Sequence, residues 1–363
     1  MNAKYRMVAD SLRHEIATGT YRDGDTLLTE AELKERFGVS RQTVRQAIAL
    51  LESDGLVIRR RGSGTYVTHG IRKCSGVPNV QVITTYITDY IFPSIVRGAE
   101  SVLSEQGCMM SLSATYNRTD HERLLLQRIL ESPPDGLIVE GTKTALPNPN
   151  IALYEKLWER NIPCVFINGY YPQVRGAVHV VADDERGGHM AVEALVEKGH
   201  ARIGGVFKSD DMQGHLRYQG YSAALEERGL PVRDEAVCWF STENKSRFLR
   251  EETGERFLRT IADGLDAIVC YNDEISLMLM EALAAHGLTV PKDVSIVSFD
   301  NSAFSNICHP RLTTLEHPKE AFGRTAAEKL LHMMAGQREE SAVLPWKLVE
   351  RESIAQMGVA SRR

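Results

Sequence analysis

Between Phe37 and Leu56 the polar and apolar side chains alternate with the period of a helix. Val44, Ala47, Ile48 and Leu51 recur at three- and four-residue spacing and make one face, while Arg41, Gln42 and Arg45 fall on the other. Ser40 suits the N-cap of this helix and Gly55 its end. Upstream, Val8, Leu12 and Ile16 predict a helix over Tyr5–Thr18, closed by Gly19. Between these two, LLTEAELKERFG predicts another, with Thr29 as N-cap, Glu32 completing a capping box three residues on, and Gly38 as the stop. The tight turn at Gly38 and Val39 gives the second and third helices the helix-turn-helix spacing. LVIRRRGSGTYVT then alternates as a strand, turns at Gly62-Ser63-Gly64 and returns through Thr65-Tyr66-Val67, a hairpin with a basic tip.

The pattern changes after the polar stretch THGIRKCSGVPN, so we expect a head at residues 1–68, a linker at 69–79 and a body at 80–363. In the body, VQVITTYI, CMMSLSAT, GLIVEGT and CVFING are short apolar strands, separated by amphipathic segments such as FPSIVRGAESVLSEQG and IALYEKLWERN. A second set follows: RIGGVF, VCWFST, AIVCYND and VSIVSFDN, with helices expected near Leu216–Arg228, Arg247–Ala262 and Glu274–Gly287. Strands that alternate with helices make parallel sheets covered on both faces, so two α/β lobes are expected.

Composition adds limits. The 363 residues exceed one ordinary core, and 43% hydrophobic with 25% charged residues describes an average globular protein. No stretch approaches the roughly 20 apolar residues of a membrane span, and MNAKYRMVADSLRHEI is charged where a signal peptide is apolar, which predicts a cytoplasmic protein with no membrane partner. Cys74, Cys108, Cys164, Cys238, Cys270 and Cys308 are far apart, so buried free thiols are expected, with neither a disulfide framework nor a metal site. No cofactor is expected either.

Charge is unevenly spread. Residues 1–73 carry 13 Lys/Arg and 9 Asp/Glu, a balance of +4, which leaves −9 of the total −5 for the rest. A surplus of four is ordinary, and a basic helix face alone also describes a solvated surface. Position is what favours DNA: Arg41, Gln42 and Arg45 occupy the first turns of the second helix of a helix-turn-helix, the positions that reach base edges. Arg59, Arg60 and Arg61 beside a glycine turn suit a wing lying along phosphates or in a minor groove.

In open α/β sheets ligands bind beyond the carboxyl ends of the strands. Those ends read Thr85-Tyr86, Asp89, Glu140, Asn168, Lys208, Asn272-Asp273 and Asp300-Asn301. Asp273 and Asn301 suit helix capping equally well. As a set, such mixed donors and acceptors match a polyhydroxylated ligand, with Tyr86, Tyr90, Phe92, Phe207 and Phe240 as candidate walls for a sugar ring. Catalysis is the rival class. The pairs Asp183-Asp184 and Asp210-Asp211 have no nucleophile or metal partners by sequence, neighbouring side chains usually diverge, and no phosphate-binding glycine loop follows a strand.

TEAELKERFGVSRQTVRQAIALLESDGLVIRRRGSGTYV resembles the winged helix-turn-helix of GntR-type bacterial regulators, over residues 2–68. The resemblance implies that Lys4 and Tyr5 touch phosphates, that Arg41, Gln42 and Arg45 read bases, that Glu30 belongs to the DNA-facing set, and that Arg61, Gly62, Ser63, Gly64 and Thr65 form the wing tip. Residues 79–357 resemble the LacI/GalR effector domain through HLRYQGYSAAL, VCYNDEISL, VSIVSFDNSAFS and PRLTTLEHP. This second resemblance implies that Arg217, Asn272, Asp300 and Lys208 hold ligand hydroxyls from one lobe and Tyr86, Asp89 and Glu140 from the other. It also implies a polar contact from His317 in a crossover. Nothing at 68–79 resembles the hinge helix of LacI relatives. The expected fold is therefore α/β, an N-terminal winged helix-turn-helix followed by a two-lobed, periplasmic-binding-protein-like domain. The combination implies a repressor that binds operator DNA as a homodimer and is released by a small sugar, L-arabinose; a sugar-binding protein of transport type is the alternative.

Overall fold

The computed structural model describes residues 4–18, 20–22, 24–60, 63–68, 77–88 and 90–357. The head begins with α1 (Lys4–Ala17), α2 (Glu30–Phe37) and α3 (Arg41–Ser53). Their apolar faces meet: Val8, Leu12, Ile16, Leu33, Val44, Ile48 and Leu51 are buried together. The capping box forms as expected, the Thr29 side chain accepting from Glu32 N and the Glu32 side chain accepting from Thr29 N at 2.7 Å. Gly38 takes the left-handed conformation, φ 61°, that lets the chain turn directly from α2 into α3. Arg13 on α1 donates through Nε to Asp54 at 3.0 Å, tying the end of α3 to α1 inside the head. Strands β1 (Val57–Arg60) and β2 (Gly64–Val67) pair antiparallel with Arg60 opposite Gly64, and Thr26 bridges Tyr66 on the free side of β2. Gly19, which sequence reading makes the stop of the first helix, lies outside the described residues.

The first lobe starts with β3 (Asn79–Thr84), α4 (Phe92–Glu105), β4 (Met109–Ala114), α5 (Thr119–Glu131), β5 (Gly136–Glu140), α6 (Ile151–Glu159), β6 (Cys164–Ile167) and β7 (Val178–Ala182). The chain then crosses to the second lobe for α7 (Asp184–Glu197), β8 (Ile203–Lys208), α8 (Met212–Glu227), β9 (Val237–Phe240), α9 (Glu252–Ala262), β10 (Ala267–Cys270), α10 (Asp273–Ala285), β11 (Ser295–Asp300), α11 (Ala303–Ile307) and β12 (Thr313–Glu316). It returns at His317 for α12 (Lys319–Met334) and β13 (Ala342–Leu344), and crosses a third time at Trp346 to end the second sheet with β14 (Lys347–Val349). The first sheet runs β13-β7-β6-β5-β3-β4, all parallel; the second runs β14-β12-β11-β10-β8-β9, with β14 its antiparallel edge. Central strands such as β5 and β11 are buried along their whole length, as continuous apolar runs covered on two faces require.

Each lobe carries a pair of α-helices in backbone contact. In the first, a Cβ on Gly98 of α4 would stand 2.2 Å from Glu320 O, and one on Gly323 of α12 would stand 1.9 Å from Ile95 O. In the second, a Cβ on Gly188 of α7 would meet Arg217 O at 2.0 Å, and one on Gly220 of α8 would meet Glu185 O at 1.8 Å. Only glycine allows these approaches, and the second pair fixes Arg217 against the start of α7.

Some expectations shift. The helix expected from Leu216 begins four residues earlier, at Met212. The one expected over Arg247–Ala262 is split by extended Glu251 (ψ 158°) into a short 3-10 turn at Phe248–Arg250 and α9. Cys238 and Cys270 are buried as expected, but Cys108, Cys164 and Cys308 are partly exposed, because they sit at strand and loop ends. Cys74 lies outside the described residues.

Candidate functional site

On α3 the exposed arginines are held from α2. Arg41 Nε donates to Glu30 Oε2 at 2.9 Å, and Arg45 Nε donates to both oxygens of the same carboxylate at 3.1 and 3.0 Å. Glu30 can do this because it opens α2 and the Gly38 turn brings α3 back beside it. The hydrogen bond from Arg41 is the main cause that holds the Glu30 carboxyl below its ordinary range. The arginine side chains stay 69% and 51% exposed, so a carboxylate orients them while their remaining donors face outward. Gln42 is exposed beside them. The hairpin joins this surface through Arg59, whose Nη2 donates to Arg45 O at 3.3 Å. At the turn Ser63 N donates to Arg60 O at 3.0 Å, Ser63 Oγ meets Tyr66 OH at 2.5 Å, and Gly64 has φ 125°. Thr65 follows in β2, opposite Arg59. Lys4 is exposed and Tyr5 half-buried at the start of α1. Arg61 and Gly62 lie outside the described residues.

Between the lobes is a cavity of about 470 Å³, within the range of small-molecule sites. The structure brings Tyr86, Glu140, Lys208, Arg217, Asn272 and Asp300 to its wall, all at or just beyond strand ends except Arg217, which projects from α8. Asp89 lies outside the described residues. His317 is a correction: its ring does not line the cavity. The residue is buried, 2% exposed, and its ring is packed 4.3 Å from Phe322 and 5.4 Å from Trp346. The second crossover turns it into the hinge rather than up into the cleft, and burial keeps it neutral, its pKa well below the ordinary value. Of the candidate walls, Tyr86, Tyr90, Phe92 and Phe240 line the cavity, whereas Phe207 is core.

Polar partners in the cleft are closely matched. Glu140 Oε2 accepts from Thr85 N and Thr85 Oγ1, each at 2.6 Å, and Oε1 accepts from Asn168 Nδ2 at 3.0 Å. Burial pushes the Glu140 carboxyl up to about 7 against the pull of those bonds. The Lys208 ammonium is buried, yet Asp211 at 2.6 Å and Asp210 at 3.5 Å outweigh that burial and hold its pKa above the ordinary value. Arg217 donates through Nε to Asp184 at 2.8 Å and through Nη1 to Tyr271 O, with Asp300 3.9 Å away. Its guanidinium lies 4.3 to 5.0 Å from the rings of Phe299, Tyr271 and Trp346. Lys245 pairs with Glu274 at 2.5 Å on the same wall.

Capping is resolved residue by residue. Asn272, not Asp273, caps α10, its Oδ1 accepting from Ile275 N at 3.0 Å. Asp273 is anchored inward by Ser302 N and Thr314 Oγ1, at 2.7 and 2.8 Å. Asn301 caps nothing either: Oδ1 accepts from Arg351 and Nδ2 donates to Glu316. Sequence reasoning did not connect Asp184 with Arg217, nor single out Lys245, Glu274 or Tyr271; Tyr271 and Glu274 flank Asn272 and Asp273 in VCYNDEISL, but the partners Arg217 and Lys245 are distant along the chain. Among the described residues no group of three or more His, Cys, Asp and Glu could hold a metal.

Residues 4–67 match the bacterial regulatory proteins of the gntR family, and residues 192–354 match the periplasmic binding protein-like domain. The arabinose metabolism transcriptional repressor of Halalkalibacterium halodurans is 36% identical over 98% of this chain and 98% of its own length. That of Geobacillus stearothermophilus is 39% identical over 91% of each. The chain belongs to this family of transcriptional repressors. A solved complex of the regulator CelR with cellobiose, 26% identical, covers 87% of this chain and 91% of that one with a TM-score of 0.66. The family is one of regulators and not of enzymes, and this chain joins a gntR-family head to a periplasmic binding protein-like body, so the two surfaces just described sit on the two parts of a sugar-responsive repressor. Among the described residues of this repressor no helix is long and apolar enough to cross a membrane.

Proposed function

We propose that this repressor binds operator DNA as a cytoplasmic dimer and is released when L-arabinose fills the cleft. The observation that carries the reading is the charge pairing of the cavity wall. Lys208 is matched by Asp210 and Asp211, Arg217 by Asp184 and Asp300, and Lys245 by Glu274, while Glu140 has amide and hydroxyl partners only. Among the described residues of the wall no cation is left over for a phosphate or a carboxylate, so a neutral ligand is favoured, and its hydroxyls can both donate to the carboxylates and accept from the cations. The names of the two long relatives favour arabinose among neutral sugars.

Tyr86, Glu140, Lys208, Arg217, Asn272 and Asp300 make the sugar contacts in this reading. Arg41, Gln42 and Arg45 reach base edges, and Lys4, Tyr5 and the wing at Arg61–Thr65 follow the backbone. Glu30 sets the aim of the two arginines rather than touching DNA, where phosphates would repel it. One winged head makes few contacts, and two heads on a dimer read an inverted repeat. The edge strand β4, with Met109 63% exposed, is consistent with a surface that a second copy covers. Sugar closure then rotates the lobes and moves the paired heads out of register, a coupling typically worth about 1–3 kcal/mol. Calorimetric titration with L-arabinose, D-galactose and D-xylose, with and without operator, tests this. Binding of L-arabinose that is weakened by operator is expected; indifference of either ligand to the other refutes it.

A further inference from the structure

The two lobes also touch outside the crossovers, through residues that take no part in them. Asn117, just past β4, is 1% exposed and reaches the second lobe: its Nδ2 lies 2.6 Å from Thr242 Oγ1 and 3.5 Å from Asp210 Oδ2. Its Oδ1 accepts from Lys143 N at 2.9 Å, which joins it to the loop after β5. That loop makes further contacts across the cleft. Thr144 Oγ1 accepts from Met212 N at 3.0 Å, Ala145 N donates to Asp210 O at 3.4 Å, and Lys143 pairs with Glu243. On the second lobe Thr242 N donates to Asp210 Oδ2 at 3.1 Å, so Asp210 gathers bonds from both sides.

Both loops are held for this purpose. Asn117 and Lys143 both have left-handed backbones, φ 53° and 47°; asparagine adopts this conformation readily, whereas a lysine keeps it only where the surroundings impose it. The loop after β5 is anchored by buried Glu122, which accepts from Asn148, Asn150, Tyr154 and Tyr171 at 2.7 to 2.8 Å. Tyr171 OH in turn accepts from Thr142 N at 2.6 Å. Asn117, Lys143, Asp210 and Glu243 are absent from the wall of the cavity. When the lobes separate, water can satisfy these groups; when they close, each must be satisfied by the other lobe.

We propose that Asn117, Asp210 and the Lys143–Glu243 pair form a latch that keeps the lobes shut over the effector. Asn117 is then a positioning residue, which touches no sugar and sets how long the cleft stays closed. The proposal rests on the cleft being the effector site but not on which sugar fills it.

Asn117→Asp tests it, because Asp tolerates the same backbone while it removes the donor and sets a carboxylate against Asp210. L-arabinose should leave the full-length variant about tenfold faster than wild type, the scale of one lost buried hydrogen bond, with little change in its association rate. Amide exchange at residues 141–146 and 209–213 should accelerate to a similar degree. Lys143→Glu should repeat both effects more weakly, and Lys143→Glu combined with Glu243→Lys should restore them. Wild-type rates in both single variants overturn the latch. Should wild type fail to bind L-arabinose, the sugar assignment fails and the exchange measurement alone decides the latch, with unchanged exchange refuting it.

Discussion

Asp184 and Arg217 meet inside the protein, Oδ1 to Nε at 2.8 Å, although 33 residues separate them along the chain. Asp184 is the first residue of α7 after the first crossover, Trp346 of the third crossover stacks on the same guanidinium, and His317 of the second packs on Trp346. The arginine that faces the cleft is therefore built into all three connections between the lobes. A ligand that pulls on Arg217 acts directly on the hinge.

Removal of one partner should be costly. Asp184→Ala leaves a buried guanidinium with its nearest carboxylate gone, and should lower stability by about 3–5 kcal/mol. Asp184→Asn, which keeps an acceptor, should cost less. Chemical denaturation of the two variants checks this, and a loss under about 1 kcal/mol for Asp184→Ala would mean that Asp300 and the rings suffice.

Gly220→Ala should act on the same place through the backbone. Its Cβ would stand 1.8 Å from Glu185 O, so α7 and α8 must separate. Overpacking of this kind costs about 1–3 kcal/mol or more. Because Arg217 O touches Gly188 of the same pair, sugar affinity should fall together with the denaturation midpoint. A variant of wild-type stability would show that the helix spacing is adjustable.

Much of the head was legible because its signals are local. Thr29 with Glu32, Ser40 as N-cap and the turn at Gly38 each work within a few residues, and the structure forms all three. The strand ends of the body were legible for a similar reason, since an apolar run that stops at a polar residue marks both the strand and its cleft side. What was not legible depends on distance in the chain. Asp184 reads as half of an acidic pair without a partner until α7 is packed on α8, and Asn117 carries no signal until Thr242, 125 positions away, stands against it. His317 failed differently. Its place in the order of elements was read correctly, but which way a crossover turns its side chain follows from Phe322 and Trp346, which no local pattern brings near.

Glu140 should give the protein a pH signature. Its carboxyl is raised to about 7 in the fold from an ordinary value of 4.5. Between those values the folded state holds a proton that the unfolded chain releases, so this contribution is full below about pH 4.5 and is lost as pH rises to 7. Glu140→Gln cannot titrate. Thermal melts of wild type should therefore decline relative to those of Glu140→Gln over this window and run parallel above it. Parallel curves throughout would place the titration elsewhere.

Asp300 offers a direct test of sugar contact. Its backbone has φ 97°, so alanine would add strain to the loss of charge, and Asn is the informative replacement. Asp300→Asn should abolish measurable L-arabinose binding while operator binding persists, which leaves the variant on DNA at any sugar concentration. A variant still released at ordinary concentrations would remove Asp300 from the site.

The shared carboxylate of Glu30 makes a final prediction about DNA. Arg45→Ala should weaken operator binding by about 1–3 kcal/mol with sugar affinity intact, and the loss should be larger on operator than on random sequence. Equal loss on both would make Arg45 a phosphate contact. Glu30→Gln separates aim from charge. It removes a negative group, which alone should strengthen binding to every sequence, but it also frees Arg41 and Arg45 from the bonds of 2.9 to 3.1 Å that fix them. If Glu30 orients the pair, affinity for random DNA should rise while preference for operator falls; competition binding at two salt concentrations reads both. A rise in affinity with preference unchanged would leave Glu30 with no part in recognition.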